Sequence, residues 1–449
     1  MSLLIVGISG IRGIYGETLT PEIVMEFACA FGTYIKGEKV AVGSDTRPSG
    51  KVIKDALFKG LLSTGCEIID LGICPTPSVQ LMVEALKAAG GIVISASHTP
   101  AEWNGLKFIR KDGIFLNEAE GKTFLKFHDN RNFIISEISK PVHKDTTTEN
   151  IHINKVLACA ETNIIKQKKF KVVLDSCNGA GSIITPKLLE ALGCEVIKIN
   201  CLPDGLFPHN PEPIPSNLKE LMEKVRETGA DIGFAQDADA DRLAVVSEKG
   251  EAIGEEYSLC LAVKFVLSKT KGVVVTNLST TRAVDDIAEE YGCRVIRTKV
   301  GEVNVAEKMK AEKAVIGGEG NGGIIDPRIH YGRDSLAGIA LILQYLAETG
   351  KTLSQLLNGL PKYYIYKDKV LCSRETVNIA LARFKEKYKN ENLNFTDGIK
   401  VEWNDSWAHL RSSNTEPIIR IITEATSQEK AMKLNNEIAE EIRKLGVRS

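Results

Sequence analysis

Lys171-Val172-Val173-Leu174-Asp175-Ser176, followed through a helical pattern by Gly193-Cys194-Glu195-Val196-Ile197, is one of three copies of a single plan. Lys39-Val40-Ala41-Val42-Gly43-Ser44-Asp45-Thr46 leads in the same way to Gly65-Cys66-Glu67-Ile68-Ile69. Gly272-Val273-Val274-Val275-Thr276-Asn277 leads to Gly292-Cys293-Arg294-Val295-Ile296. Each copy reads as buried strand, polar turn, helix, glycine stop and second buried strand. Continuous Val/Ile runs joined by helices predict mostly parallel sheets covered on both faces. In the third copy Ala283, Ile287, Ala288 and Tyr291 fall at helical spacing, and Gly292 supplies the stop. Shared α/β grammar could give this likeness, but the repeated Gly-Cys favours a true triplication.

Past Leu360-Pro361 the grammar changes. A strand near Lys369-Val370-Leu371, a helix through Val377, Ala380, Leu381 and Phe384, and strands at Ile399–Val401, Ala408–Arg411 and Ile418–Ile422 precede a helix from Gln428. That predicts a smaller α+β unit with antiparallel strands. The polar stretch Lys140–Thr148 separates the first unit from the second, and Gly254-Glu255-Glu256 opens the third. The expected domains are 1–150, 151–253, 254–366 and 367–449: three similar mixed-sheet α/β units and a smaller C-terminal α+β unit around a central cleft, where ligand sites commonly form.

Bulk properties narrow the function. The 449 residues exceed one core, and 43 % apolar with 26 % charged residues is ordinary for a soluble globular protein. With 57 basic against 58 acidic residues, nothing suggests a nucleic acid as partner. The start, Met1–Gly7, lacks a basic region and reads as a first strand, not a signal peptide. No apolar run approaches the ~20 residues that span a bilayer, so no membrane is expected. Ten cysteines without metal or disulfide spacing fit small core residues in a reducing cytoplasm.

The chemistry begins at Asp237-Ala238-Asp239-Ala240-Asp241-Arg242, just beyond the apolar run Ile232–Ala235. In an extended loop all three carboxylates face one side. Like charges that close repel unless a cation sits among them, and a hard divalent ion such as Mg2+ suits oxygen ligands and keeps room for a phosphate. A solvated acidic loop and a calcium loop are the alternatives. The calcium loop needs Gly at its sixth position, where Arg242 stands.

Three further stretches carry polar groups on loops. Ser95-Ala96-Ser97-His98-Thr99-Pro100 follows the strand Ile92–Ile94, and Pro100 keeps Ser97 and His98 on an exposed turn. Trp103-Asn104-Gly105-Leu106-Lys107 then carries a lysine into the next strand. A hydrolase serine lacks its Gly-x-Ser-x-Gly elbow here, while a capping serine without chemistry stays open. Gly317-Gly318-Glu319-Gly320-Asn321-Gly322-Gly323 lacks the Lys-Ser/Thr ending of a phosphate loop, and Glu319 and Asn321 suit sugar hydroxyls. A plain tight loop is the other reading. Arg411-Ser412-Ser413-Asn414-Thr415-Glu416-Pro417 with Arg420 can surround a phosphate dianion with guanidinium, hydroxyl, amide and backbone donors.

Together these stretches resemble the α-D-phosphohexomutase family of phosphoglucomutases, phosphomannomutases and phosphoglucosamine mutases. The likeness spans the chain in order: Ser9-Gly10-Ile11-Arg12-Gly13, Asp45-Thr46-Arg47, Ala96-Ser97-His98, Asn104–Lys107, Asp204-Gly205-Leu206-Phe207-Pro208-His209-Asn210-Pro211-Glu212-Pro213, the aspartate triplet, Gly318-Glu319 and the Arg411–Arg420 segment. The resemblance implies that Ser97 carries a phosphoryl group and that one Mg2+ is held by Asp237, Asp239, Asp241 and an oxygen on Ser97. It implies catalytic roles for Ser97, Lys107, Arg12 and His98. Arg242, Glu319, Asn321, Arg411, Ser413, Asn414, Thr415 and Arg420 are the implied substrate contacts. A hexose 6-phosphate and its 1-phosphate interconvert through a sugar bisphosphate, which also serves as activator, and the last domain swings to close the cleft. The partner is then a small hexose phosphate, and the state a monomer or homodimer.

The pattern also departs from the family. Thr99 stands where many relatives have Asn, and the sugar loop ends Asn321-Gly322-Gly323 where a Ser-Gly-His ending is common. Asn321 then takes the hydroxyl-reading place of the serine, and the histidine has no counterpart at Gly323. His330 and His98 are the nearest substitutes for it, with His330 equally readable as a surface loop residue. The wording of the serine and sugar loops is similar to phosphoglucosamine mutases, making glucosamine 6-phosphate the expected substrate. Phosphomannomutase/phosphoglucomutase activity is the alternative. Two other classes are a non-catalytic sugar-phosphate sensor and an aspartate-nucleophile phosphatase, the latter disfavoured by Asp241 in place of Thr or Val.

Overall fold

A computed structural model describes residues 4–8, 10–138, 140–412 and 418–446. The first sheet holds β1 (Ile5–Val6), β2 (Gly10–Ile14), β3 (Val40–Ser44), β4 (Ile68–Ile73), β5 (Gly90–Ile94), β6 (Trp103–Arg110) and β7 (Val142–Lys144). The second holds β8 (Lys171–Asp175), β9 (Glu195–Ile199), β10 (Ile232–Gln236) and β11 (Leu243–Ser247), and the third β12 (Val274–Asn277), β13 (Val295–Thr298), β14 (Ile316–Glu319) and β15 (Gly323–Ile325). The fourth is built from β16 (Tyr364–Leu371), β17 (Asn392–Asn394), β18 (Ile399–Glu402), β19 (Ser406–Ser412) and β20 (Ile418–Ala425).

The triplication is written in the strand order. The runs β4-β3-β5-β6, β9-β8-β10-β11 and β13-β12-β14-β15 are the same arrangement. In each, three strands are parallel and the fourth returns antiparallel. The antiparallel return makes the sheets mixed. Gly65, Gly193 and Gly292 adopt φ of 81°, 78° and 65°, so the repeated Gly-Cys marks a left-handed turn before each second strand. Of the cysteines that follow, Cys66 is buried, whereas Cys194 and Cys293 are half-buried against the core. All ten cysteines are free thiols.

The polar stretch Lys140–Thr148 is not simply a linker. It contains β7, which pairs parallel with β4 at the sheet edge with all three side chains exposed. Exposed polar edges protect a sheet from further pairing, which is why composition alone reads this strand as a connector.

One apolar core links the first three units through Val93, Leu174, Val245, Ile316 and Leu341. The helix Ser335–Thr349 is buried nearly all round, as its apolar sequence requires. The fourth sheet is wholly antiparallel and packs its own core around Val370, Phe384, Leu410, Ile421 and Ile438. No described helix is long and apolar enough to cross a membrane.

A buried polar clamp ties the first three units behind the cleft. Asp334 accepts from His152 Nε2 at 2.8 Å and from His330 Nε2 at 3.2 Å, while its Oδ1 caps the helix through Leu336 N at 2.9 Å. His330 Nδ1 accepts from Gly332 N and His152 Nδ1 meets Ser78 Oγ, both within hydrogen-bond distance. His330 is therefore neither a surface residue nor free to face the cleft. Burial raises the energy of the Asp334 carboxylate, but the two imidazoles outweigh it and hold its pKa well below the usual carboxylate range. Asp334→Ala should lower the unfolding free energy by about 3 kcal/mol or more in urea titrations, because it strands two buried imidazoles and a helix end.

His209 bonds Asp175 Oδ2 through Nε2 at 3.0 Å and Asn210 O through Nδ1 at 2.9 Å. Burial opposes its charge, yet hydrogen bonds to Asp175 and Cys177 prevail and raise its pKa to about 11. The stabilisation is thus complete below the unfolded value near 6.5 and is lost as pH rises toward 11. The thermal midpoint gap between the wild-type protein and His209→Gln should be widest near pH 6 and narrow with alkalinity.

Candidate active site

The turn between the third and fourth strand of each repeat supplies one part of a common cleft. The β5–β6 turn carries Ser97, the β10–β11 turn carries Asp237–Arg242, and the β14–β15 turn carries Asn321 next to Glu319. The cleft encloses about 830 Å³ and is lined by Arg12, Ser97, Lys107, Arg242, Glu319, Asn321 and, from the fourth unit, Arg411 and Arg420. Ser413, Asn414 and Thr415 lie outside the described residues. His98 is not among the lining residues, although its Nδ1 stands 3.3 Å from Ser97 Oγ. Burial first, then the Arg242 charge, lowers its pKa to about 2, so the ring is neutral.

Ser97 sits at φ 52°, a left-handed conformation costly for a residue with a Cβ. A clamp holds it there. Arg47, buried between loops, donates through Nη2 to Ser97 O at 2.9 Å and Thr99 O at 2.5 Å. Asp45 pairs with Arg47 and accepts from Ser95 Oγ, which in turn accepts from Ser97 N at 2.9 Å. The Arg47 guanidinium also lies 5.0 Å above the Phe207 ring, so the Asp204–Pro213 segment braces the serine loop from the second unit. Thr99 accepts through its main chain, so the loop keeps its shape without asparagine there.

Asp237, Asp239 and Asp241 are fully buried. Ser97 Oγ donates to Asp237 Oδ2 at 2.7 Å, bringing together residues 140 apart in sequence. Burial and two neighbouring carboxylates push the Asp237 carboxyl well above its ordinary pKa, against the pull of Arg242 and Ser97. Asp239 is also buried, yet Lys107 Nζ at 2.5 Å and the Thr76 hydroxyl bring its pKa below the normal range. Arg333 Nη2 donates to Asp241 Oδ2 at 2.7 Å. Arg242 Nε stands 3.9 Å from both Asp237 and Asp241.

The donor set fits a hard divalent cation. One ligand atom from each aspartate can be chosen so that all lie within 4.8 Å of one another. Asp239 Oδ1 and Asp241 Oδ1 are buried oxygens without a hydrogen-bond partner, whereas Asp237 Oδ1 accepts from the backbone N–H groups of Asp241 and Arg242. Buried acceptors are costly when unmatched, and an all-oxygen cage selects Mg2+-like ions over softer metals.

Glu319 is oriented from three sides. Its Oε1 accepts from Asn277 Nδ2 at 2.8 Å and Gly301 N at 3.0 Å, and its Oε2 accepts from Arg333 Nη1 at 3.1 Å. Across the cleft, cross-strand register aligns three cations. Lys369 of β16 faces Arg420 of β20, which faces Arg411 of β19. Like charges placed opposite one another destabilise a sheet unless an anion joins them. Burial and the neighbouring Arg420 both lower the Arg411 pKa. Sequence reading missed Lys369, Arg333 and Asn277. The register that puts Lys369 beside Arg420 depends on strand pairing, and Arg333 lies in no recognisable motif.

Comparison with known proteins follows the same four units. The phosphoglucomutase/phosphomannomutase alpha/beta/alpha domains I, II and III match residues 4–133, 150–250 and 254–364, and the C-terminal domain matches 369–441. A phosphoglucomutase/phosphomannomutase of Thermococcus kodakarensis is 42% identical over 95% of both chains. A probable phosphoglucosamine mutase of Methanopyrus kandleri is 37% identical over 98% of this chain and 97% of its own. The crystal structure of a phosphoglucomutase/phosphomannomutase family protein from Burkholderia thailandensis superimposes with a TM-score of 0.85 at 27% identity, covering 98% of this chain and 97% of that one. These matches span all four units, and the chain belongs to the phosphoglucomutase/phosphomannomutase family, the α-D-phosphohexomutases.

Proposed function

We propose that the chain converts glucosamine 6-phosphate to glucosamine 1-phosphate through a phosphorylated Ser97 and a bisphosphorylated sugar. The observation that carries the reading is the 2.7 Å approach of Ser97 Oγ to Asp237 across a cleft whose far wall holds Arg411, Arg420 and Lys369. A hexose phosphate placed there has its phosphate on the cationic row and its free hydroxyl toward the serine.

In the forward half-reaction the Ser97 O–P bond breaks as a sugar hydroxyl forms a new O–P bond, and the hydroxyl proton passes, in the net, to the departing Ser97 oxygen, which becomes the free hydroxyl again. The bisphosphate turns over, its other phosphate returns to Ser97, and the isomerised monophosphate leaves. Asp237, Asp239 and Asp241 would hold Mg2+ together with an oxygen on Ser97, and the ion when bound supplies neutralisation of phosphoryl charge. Lys107, Arg12 and Arg242 place further positive charge around the same point. Arg411 and Arg420, with Ser413, Asn414 and Thr415, hold the phosphate that is not moving. Closure of the last unit keeps water from competing as acceptor.

Glucosamine is the first reading because the serine loop Ser95–His98 and the sugar loop Gly318–Gly323 are worded as in phosphoglucosamine mutases. The relatives carry both names, phosphoglucosamine mutase and phosphoglucomutase/phosphomannomutase, so glucose and mannose phosphates are the second reading. Turnover should be compared on the 6-phosphates of glucosamine, glucose, mannose and N-acetylglucosamine, with Mg2+ and a bisphosphate activator. The highest kcat/KM is expected with glucosamine 6-phosphate, and a larger value for glucose or mannose would transfer the assignment.

Ser97→Ala and Ser97→Gly should both lose turnover by more than a thousandfold. Because φ at this position is 52°, the glycine variant should be the more stable of the two by about 1 kcal/mol in thermal unfolding. Full activity in either variant would remove Ser97 from the mechanism.

A further inference from the structure

Gly323 stands where the sugar loop departs from the family pattern, and the structure contains a reason for its bareness. A Cβ built on Gly323 would lie 2.1 Å from Arg333 Cδ. Its φ is not in the left-handed region, so no backbone requirement explains glycine here. The space beside residue 323 is filled by the Arg333 stem. From it the guanidinium reaches three carboxylates on separate segments: Asp241 at 2.7 Å, Glu302 at 2.9 Å and Glu319 at 3.1 Å.

Those contacts use Arg333 as a three-pronged connector. Asp241 belongs to the acidic loop of the second unit and Glu319 to the sugar loop of the third. Glu302 is held from the first unit by Gln80 Nε2 at 3.0 Å. Guanidinium geometry fixes the relative orientation of planar carboxylates in a way that one ammonium cannot. Burial opposes its charge, but the surrounding carboxylates outweigh it and raise its pKa further, so the group stays cationic at every working pH.

We infer that Arg333 is a positioning residue that couples the acidic loop to the sugar loop, and that Gly323 is kept without a side chain to admit it. The reaction would then gain rigid registration between the phosphoryl donor and the sugar. It would have no titrating imidazole in this corner of the cleft.

The inference rests on the mutase reading for its kinetic arm only. Wild type, Gly323→Ala, Arg333→Ala and the double variant form a cycle, measured by calorimetric Mn2+ binding to the full-length unphosphorylated protein and by kcat and KM. Arg333→Ala should tighten Mn2+ at least fivefold, because a cation leaves the acid cage, and lower kcat/KM at least tenfold. Gly323→Ala should shift both quantities in the same directions by expelling the Arg333 stem. The double variant should match Arg333→Ala within twofold, since the collision partner has gone. Arg333→Lys should return Mn2+ affinity toward wild type without recovering kcat/KM. If Arg333→Ala does not fold, Arg333→Ser takes its place in the cycle. Independent, multiplying effects of the two substitutions, or Mn2+ affinity unchanged or weakened on removing Arg333, would overturn the proposal. A wild-type protein inert toward every hexose phosphate would instead overturn the mutase reading, and the Mn2+ cycle would still decide this one.

Discussion

Three carboxylates sealed from solvent at the end of one strand set the terms for the rest of this molecule. At 4 Å two like charges repel by about 4 kcal/mol even at a moderate effective dielectric, so Asp237, Asp239 and Asp241 cannot be buried together unaided. Lys107 arrives from the first unit and Arg333 from the third, while Ser97 donates to Asp237. The acidic loop is therefore a reason for the units to stay docked as well as a group of ligands that could hold a metal ion. Two of its oxygens still lack a protein donor, a residual deficit that a divalent ion would answer.

Repetition explains how such a site is assembled from distant segments. Each repeat ends its parallel run with one antiparallel strand, and the turn leading into it points toward the same cleft. The three turns have diverged into a strained serine, an acidic loop and a glycine-rich sugar loop. The fourth unit has different pairing and its own core, and it contributes cations from three neighbouring antiparallel strands. Its wall of the cleft is joined to the third unit by bonds from Ser279 to His409, from Arg282 N to Glu424 and from Val300 N to Asp397.

Much of this was legible in the amino-acid order. Strand–helix alternation and Gly-Cys recurrence announced the three repeats, because buried parallel strands and left-handed stops leave local marks. Ser97, Lys107, the aspartates, Arg242, Glu319 and Asn321 were nameable in advance since each lies in a compact motif. Long-range compensation was not. Arg333 acts on residues 92 and 14 positions away, and Asp334 joins histidines from two units. Lys369 acquires meaning only from strand register. The edge strand β7 looked like a connector because it is short, lies in a polar stretch and has all three side chains exposed. Local pattern reveals elements and motifs; partners chosen by tertiary packing leave no periodic trace.

The separation between Asp241 and Arg333 has a temporal side. During synthesis the acidic loop leaves the ribosome 92 residues before the guanidinium that neutralises it. At 5–20 residues per second that interval lasts roughly 5–20 s. Lys107 is already in place, so the nascent first half is only partly neutralised through this interval. The acidic loop thus gains the Arg333 guanidinium only as the third repeat is made, and the cleft receives Arg411 and Arg420 of the fourth unit later still.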